Sequence, residues 1–174
     1  SDEATQAIIY AGAGYSDLEL DLVYGVRGSR QTHIENLLRQ ITGCESALVM
    51  NNNAAGLLLA LSTVASGREI VLSRGESVEI GGGFRIPSIM EQSGANLVEI
   101  GSTNRTYISD YEKAINASTG ALLKVHASNF RITGFTSEAS LGELVELGQS
   151  HNIPVIHDLG SGCLIDTSLY GLPH

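Results

Sequence analysis

Apolar residues at Ile34, Leu37, Leu38 and Ile41 recur with the spacing of one helix face. Thr32 and Glu35 stand in front of them at capping-box spacing, and Gly43 closes the run. A short apolar stretch at 47–50 has the length of a buried strand. Residues 53–65 then read as a helix stopped by Gly67, and 70–72 as a second short strand, which completes one strand-helix-strand unit. The alternation continues with a helix over 86–93 ended by Gly94, a strand over 97–100, a helix over 109–116 and a strand over 121–126. A helix over 141–151 and a strand over 154–157 form the last unit. Short apolar strands separated by amphipathic helices predict a three-layer α/β/α fold with a largely parallel sheet, whose ligands belong at the carboxyl ends of the strands. No repeat, low-complexity tract or linker interrupts residues 1–174, so a single domain is expected.

Composition narrows this picture. Twenty glycines, and charged residues at 17%, below the usual ~25%, fit a tightly turned layer protein with much hidden surface, some of it expected to face another chain or a missing segment. Disorder and collagen are excluded. Ten Lys and Arg against nineteen Asp and Glu give a net charge of −9, which argues against this segment holding a nucleic-acid backbone by itself. Cys44 and Cys163 stand far apart without a CxxC, and the five histidines show no HxH or HExxH spacing, so neither a disulfide framework nor a metal site is indicated. The apolar run at 57–64 is too short to span a bilayer, and the start at Ser1-Asp2-Glu3 lacks a basic region; a soluble, cytoplasmic chain is the expectation.

Chemistry is to be sought in the loops that follow strands. Asn51-Asn52-Asn53-Ala54-Ala55-Gly56 lies where a strand turns into a helix, and its small polar residues leave backbone N–H groups and the helix dipole free for a phosphate. An ordinary Asn helix cap is the competing reading; a Walker A loop and GxGxxG are ruled out by the missing glycines. Val155-Ile156-His157-Asp158-Leu159-Gly160-Ser161-Gly162 delivers a carboxylate at a strand end; its glycines also resemble a methyltransferase loop, but one placed after too many units. Ser128-Asn129 puts an amide at the same sheet edge, where an Asn stabilising its own turn is the commoner use. Gly81-Gly82-Gly83-Phe84-Arg85 permits close backbone approach or forms a plain bend. Arg27-Gly28-Ser29-Arg30 offers two cations to an anion or a neighbouring subunit, with solvated surface arginines as the alternative. Of the histidines, His126 and His157 stand at strand ends and are the site candidates.

Taken together, the chain resembles the bacterial L-seryl-tRNA(Sec) selenium transferases, pyridoxal-phosphate enzymes of the aspartate-aminotransferase fold (fold type I). The resemblance runs in order through Gly14-Tyr15-Ser16-Asp17-Leu18-Glu19, Arg27-Gly28-Ser29-Arg30, Asn51-Asn52-Asn53-Ala54-Ala55, Ser73-Arg74-Gly75-Glu76, Gly81-Gly82-Gly83-Phe84-Arg85-Ile86-Pro87 and Gly101-Ser102-Thr103-Asn104-Arg105-Thr106. It continues through Lys124-Val125-His126-Ala127-Ser128-Asn129-Phe130-Arg131, Gly134-Phe135-Thr136 and Asp158-Leu159-Gly160-Ser161-Gly162. It implies pyridoxal 5'-phosphate as cofactor, with its phosphate at Asn52, Asn53 and Ala54, Asp158 against the pyridine nitrogen, Asn129 at O3', and Ser161 in the same cradle. Ser77, Glu79 and His126 are the candidates for covering the ring. Arg27 and Arg30 are assigned an anion or the adjacent subunit of a homo-oligomer.

The implied reaction converts seryl-tRNA(Sec) to selenocysteyl-tRNA(Sec) with selenophosphate as selenium donor. The family carries its Schiff-base lysine in a Ser-Gly-Asp-Lys-Leu stretch, and this sequence has none: its two lysines are Lys113, in a predicted helix, and Lys124, in a predicted strand. The expectation is therefore a fragment of the cofactor-binding large domain, lacking the N-terminal tRNA-contacting region, the lysine segment and the C-terminal small domain. A related fold type I lyase acting on a small amino compound, such as an amino-sugar phosphate ammonia-lyase, and a non-catalytic assembly module are the alternatives.

Overall fold

The computed structural model describes residues 1–79, 83 and 85–172; Gly81, Gly82 and Phe84 of the glycine-rich stretch therefore lie outside the described residues. The chain resolves into two compact units, Ser1–Val49 and Met50–His174.

In the first unit, α1 (Asp2–Gly12) is capped by Ser1, whose hydroxyl accepts from the Ala4 N–H. A two-residue hairpin, β1 (Leu20–Asp21) and β2 (Val26–Arg27), pairs antiparallel. The Asp21 carboxylate closes its turn by accepting from the Val23 and Tyr24 N–H groups, and Gly25 supplies the left-handed residue at φ 65°. Next comes α2 (Thr32–Thr42), ended by Gly43 at φ 73° as the sequence predicts.

Two expectations fail here. The capping box of Thr32 and Glu35 does not form: the chain is already helical at Gln31, and Glu35 accepts from the Ser46 hydroxyl at 2.9 Å rather than reaching back to a cap N–H. Residues 47–50 are not a strand, and no strand among the described residues pairs with them; instead the Gln31 side-chain amide accepts from the Val49 N–H at 3.0 Å and donates to its carbonyl at 3.2 Å.

The second unit holds the parallel sheet. Its strands are β3 (Glu69–Ser73), β4 (Asn96–Ile100), β5 (Thr119–Val125) and β6 (Val155–Asp158), in the order β4-β3-β5-β6. The helices between them are α3 (Asn53–Ala65), α4 (Ile86–Ser93), α5 (Ile108–Ala114) and α6 (Leu141–His151). Strand alternation divides the core into two. Ile70, Leu72, Ala121, Leu123 and Val125 pack with Leu57, Leu61 and Ala65 of α3 and with Ile86, Ile89 and Met90 of α4. Val71 and Leu122 face the other way, toward Tyr111 of α5 and Leu144 of α6. The three-layer parallel architecture expected from the sequence is therefore present over four strands.

Local chemistry sets the helix ends. Gly94 at φ 76° stops α4, a Ser140–Glu143 capping box opens α6, and Asn152 ends it at φ 55°. Gly148 lets α6 close on β6, since a Cβ there would stand 2.7 Å from the Ile153 carbonyl. The chain leaves β3 toward β4 and crosses back to β5 on the other side, so the sheet changes direction between β3 and β5. Among the described residues no helix is long and apolar enough to cross a membrane.

Candidate functional site

Asp158 is the last residue of β6, at the carboxyl edge of the sheet. It pairs in register with Val125, and its carbonyl accepts from the His126 N–H at 2.9 Å. Strand alternation puts it on the same face as Ile156, which packs into the α3 and α4 core. The carboxylate is thereby buried, at 6% exposure. Its Oδ1 accepts from the Asn53 amide at 2.8 Å, whereas Oδ2 is buried with no partner among the described residues. A buried acceptor left unpaired costs about 1–3 kcal/mol, so this oxygen marks a place where a donor is missing.

The N-terminus of α3 faces the same carboxylate. Asn52 is its N-cap in extended conformation, its side chain accepting from the Ala55 N–H at 2.8 Å and its carbonyl from the Gly56 N–H at 3.2 Å. The N–H groups of Asn53 and Ala54 carry no hydrogen bond among the described residues, which leaves them for an acceptor in front of the helix. Of the three asparagines, then, Asn52 caps the helix and Asn53 bridges to β6, and each does so with its side chain.

His126 is half-buried, and its Nδ1 donates to the Leu159 carbonyl at 2.7 Å, pinning the glycine loop that turns at Gly160, φ 60°. Asn129 and Ser161 are exposed in the loops that follow β5 and β6, and no hydrogen bond ties either to Asp158 among the described residues. Glu79 is held by the Arg85 guanidinium at 2.7 Å, and the Ser77 N–H by the Arg74 carbonyl at 3.3 Å. His157 points to the face opposite Asp158; burial lowers its pKa, and the Lys124 charge lowers it further. In the first unit, Arg27 and Arg30 both donate to the Glu19 carboxylate, Arg27 Nη2 at 3.1 Å and Arg30 Nε at 2.6 Å. The two cations read from the sequence thus share one internal anion.

Lys124 lies on the sheet face opposite Asp158. Its ammonium contacts Glu76 at 2.8 Å and Glu138 at 3.3 Å. Burial alone would lower its pKa, but the Glu76 hydrogen bond and the two carboxylate charges outweigh that and raise it, so the amine is held protonated. Glu76 is itself buried at 8% exposure. Its pKa is raised by that burial, against the opposing pull of Lys124 and the Val125 N–H. The stretch Ser73-Arg74-Gly75-Glu76 assigns Glu76 no role; the usable signal was a lysine inside an otherwise apolar strand, which demands a buried partner.

A separate cavity of about 480 Å³ opens where β3 and β5 part, lined among others by Ser73, Glu76, Arg105, Val125 and Arg131. Asp158 and Asn53 are not in its lining. The unpaired carboxylate oxygen, rather than the volume of this cavity, marks the candidate site.

A family model described as L-seryl-tRNA selenium transferase (SelA) matches residues 1–174. The L-seryl-tRNA(Sec) selenium transferase of Moorella thermoacetica is 57% identical over 172 residues, covering 99% of this chain and 37% of that protein. The chain therefore spans little more than a third of the length of the curated relatives it matches. Among solved structures, D-glucosaminate-6-phosphate ammonia-lyase superposes with a TM-score of 0.72 at 22% identity, over 93% of this chain and 44% of that one. NtdA from Bacillus subtilis, solved with bound cofactor PMP, superposes with a TM-score of 0.57 at 14% identity, over 82% of this chain and 31% of that one. These likenesses establish the fold, that of the fold type I pyridoxal-phosphate enzymes.

Proposed function

We propose, since this chain belongs to the L-seryl-tRNA selenium transferase family, that the protein carrying it converts seryl-tRNA(Sec) to selenocysteyl-tRNA(Sec) with selenophosphate, and that the chain supplies two ends of a pyridoxal-phosphate cradle. The observation that carries this reading is the buried Oδ2 of Asp158, without a partner among the described residues, beside an Oδ1 already held by Asn53. A carboxylate so arranged is short of one donor, and a protonated pyridine nitrogen is a donor of the right kind. When bound, the cofactor supplies an electron sink for loss of the substrate's α-proton.

Each residue then has a defined task. Asp158 keeps a proton on the ring nitrogen. Asn53 fixes the rotamer of that carboxylate, so that Oδ2 is the oxygen offered. The free N–H groups of Asn53 and Ala54, at the positive end of α3, hold the phosphate, and Asn52 keeps that first turn in place by capping it. Asn129 and Ser161, exposed on the neighbouring loops, are assigned to the ring oxygen and the outer wall. His126 anchors the Leu159 carbonyl and so holds the loop containing Ser161.

The test uses the full-length protein. Asp158→Ala should lower turnover at least a hundredfold and shift the cofactor's visible absorbance, because the ring nitrogen loses the group that keeps it protonated. Activity within threefold of the parent would reject the role.

A further inference from the structure

We propose that Glu76 is a positioning residue for the Asp158 carboxylate, acting through the end of β5; the inference rests on the cofactor reading given above. Registered pairing between β3 and β5 stops at Leu72 and Leu123. Beyond it the two strands part, and side chains occupy the gap. The Tyr111 hydroxyl accepts from the Ser73 N–H at 3.2 Å and donates to the Leu123 carbonyl at 3.4 Å. Glu76, from the turn that follows β3, gives Oε2 to the Val125 N–H at 2.8 Å and Oε1 to the Lys124 ammonium at 2.8 Å. The last two residues of β5 are therefore held from the β3 side by a carboxylate instead of a strand.

The other edge of β5 carries the site. Val125 pairs with Asp158, the His126 N–H donates to the Asp158 carbonyl at 2.9 Å, and the Asp158 carboxylate takes the Asn53 amide at 2.8 Å. One line of hydrogen bonds thus runs from Glu76 across β5 and β6 to the first turn of α3. Neutralising Lys124 does not by itself explain Glu76, because Glu138 already stands 3.3 Å from that ammonium. The bond to the Val125 N–H is what Glu76 adds, and it fixes the backbone one step from the residue that fixes Asp158.

The full-length protein separates the roles with four variants. Glu76→Ala removes the clamp, and Glu76→Asp shortens it beyond reach and replaces the alanine variant should that fail to fold. Glu76→Gln keeps an oxygen for the Val125 N–H while Lys124 turns to Glu138, and Glu138→Gln leaves the clamp intact. Amide hydrogen exchange on the apo-protein should quicken at least tenfold over 124–130 and 156–162 in Glu76→Ala, with 96–100 unchanged. Titration with pyridoxal phosphate, followed by absorbance, should show its Kd raised at least tenfold. Glu76→Gln and Glu138→Gln should stay within threefold of the parent in both measurements. Faster exchange throughout the sheet, β4 included, or a glutamine variant as impaired as the alanine one, would overturn the proposal. If the parent itself binds no pyridoxal phosphate in an Asp158-sensitive way, the cofactor reading falls, and the exchange pattern still decides whether Glu76 is coupled to Asp158.

Discussion

The two units of the chain are built on different physics. Among the described residues of Met50–His174, seventeen hydrophobic side chains are buried on the two faces of one sheet, Leu61, Ile70, Val71, Leu72, Leu122 and Leu123 completely. In Ser1–Val49 no residue is buried, although Ile34, Leu37, Leu38 and Ile41 repeat with the spacing of a helix face. What organises the first unit is local polar chemistry: Asp21 closing a turn, Glu19 taking two arginines, Gln31 standing in for a strand beside Val49. Periodicity says which face a helix would bury, but it supplies no surface to bury that face against.

The largest effect should come from the core. Leu61→Ala in the 174-residue chain removes a fully buried side chain between α3 and the sheet, and should cost about 2–5 kcal/mol in chemical denaturation, with cofactor-independent loss of the cooperative transition as the extreme. A cost below about 1 kcal/mol would mean the second unit is not held by burial and would erase the contrast.

Next in size is the buried ion pair. Lys124→Met leaves Glu76 without its cation and should cost about 3 kcal/mol near neutral pH, less to the extent that the carboxyl protonates. The pH signature is more diagnostic than the size. Because the folded Lys124 pKa lies above its ordinary 10.5, its contribution is complete below that pH and vanishes as the pH rises through the elevated folded value. The parent should lose more stability on that alkaline limb than Lys124→Met, which keeps only the part due to Tyr111, whose pKa burial also raises; an identical limb in both proteins would exclude Lys124 as a contributor.

These residues also show how far the sequence could be read. The positions of β3 to β6 and α3 to α6 follow from periodicity and from stop signals such as Gly67 and Gly94, and the helices are closed by residues near in sequence. Residues 47–50 carry the same apolar signature as β3 and yet form no strand, since a strand is completed only by a partner, and partners are not written locally. The site divides in the same way. Asp158 and Asn53 were visible as a strand-end carboxylate and a strand-to-helix asparagine, but the hydrogen bond joining them spans 105 positions. Glu76 was legible only as part of the stretch Ser73-Arg74-Gly75-Glu76, without a role, because its value lies in meeting Val125, 49 positions away, where β3 and β5 diverge.

A smaller effect is expected at the start of α3. Asn52→Ala removes the side-chain oxygen from the Ala55 N–H and should cost about 1 kcal/mol, the usual worth of an N-cap. In the full-length protein the same change should weaken pyridoxal-phosphate retention by loosening the first turn, whereas Asn53→Ala should act through Asp158 and alter the absorbance as well. If Asn52→Ala costs nothing, the first turn is held by something other than its cap.

The smallest effect should come from the first unit, where it would least be expected from the sequence. Leu37 and Ile41 define the apolar stripe of α2, and in a packed helix either would be worth about 1.5–3 kcal/mol. Here they remain 50% and 54% exposed, so Ile41→Ser in the 174-residue chain exchanges one solvated side chain for another, and its cost should stay within about 0.5 kcal/mol. Helix content by circular dichroism should be unchanged, because Gly43 and the Arg39 carbonyl still close the helix. A loss of 2 kcal/mol or more, scaled from the worth of full burial, would show that this face is covered in solution. The contrast between the units would then become one between two burial partners, instead of one between burial and local polar bonding.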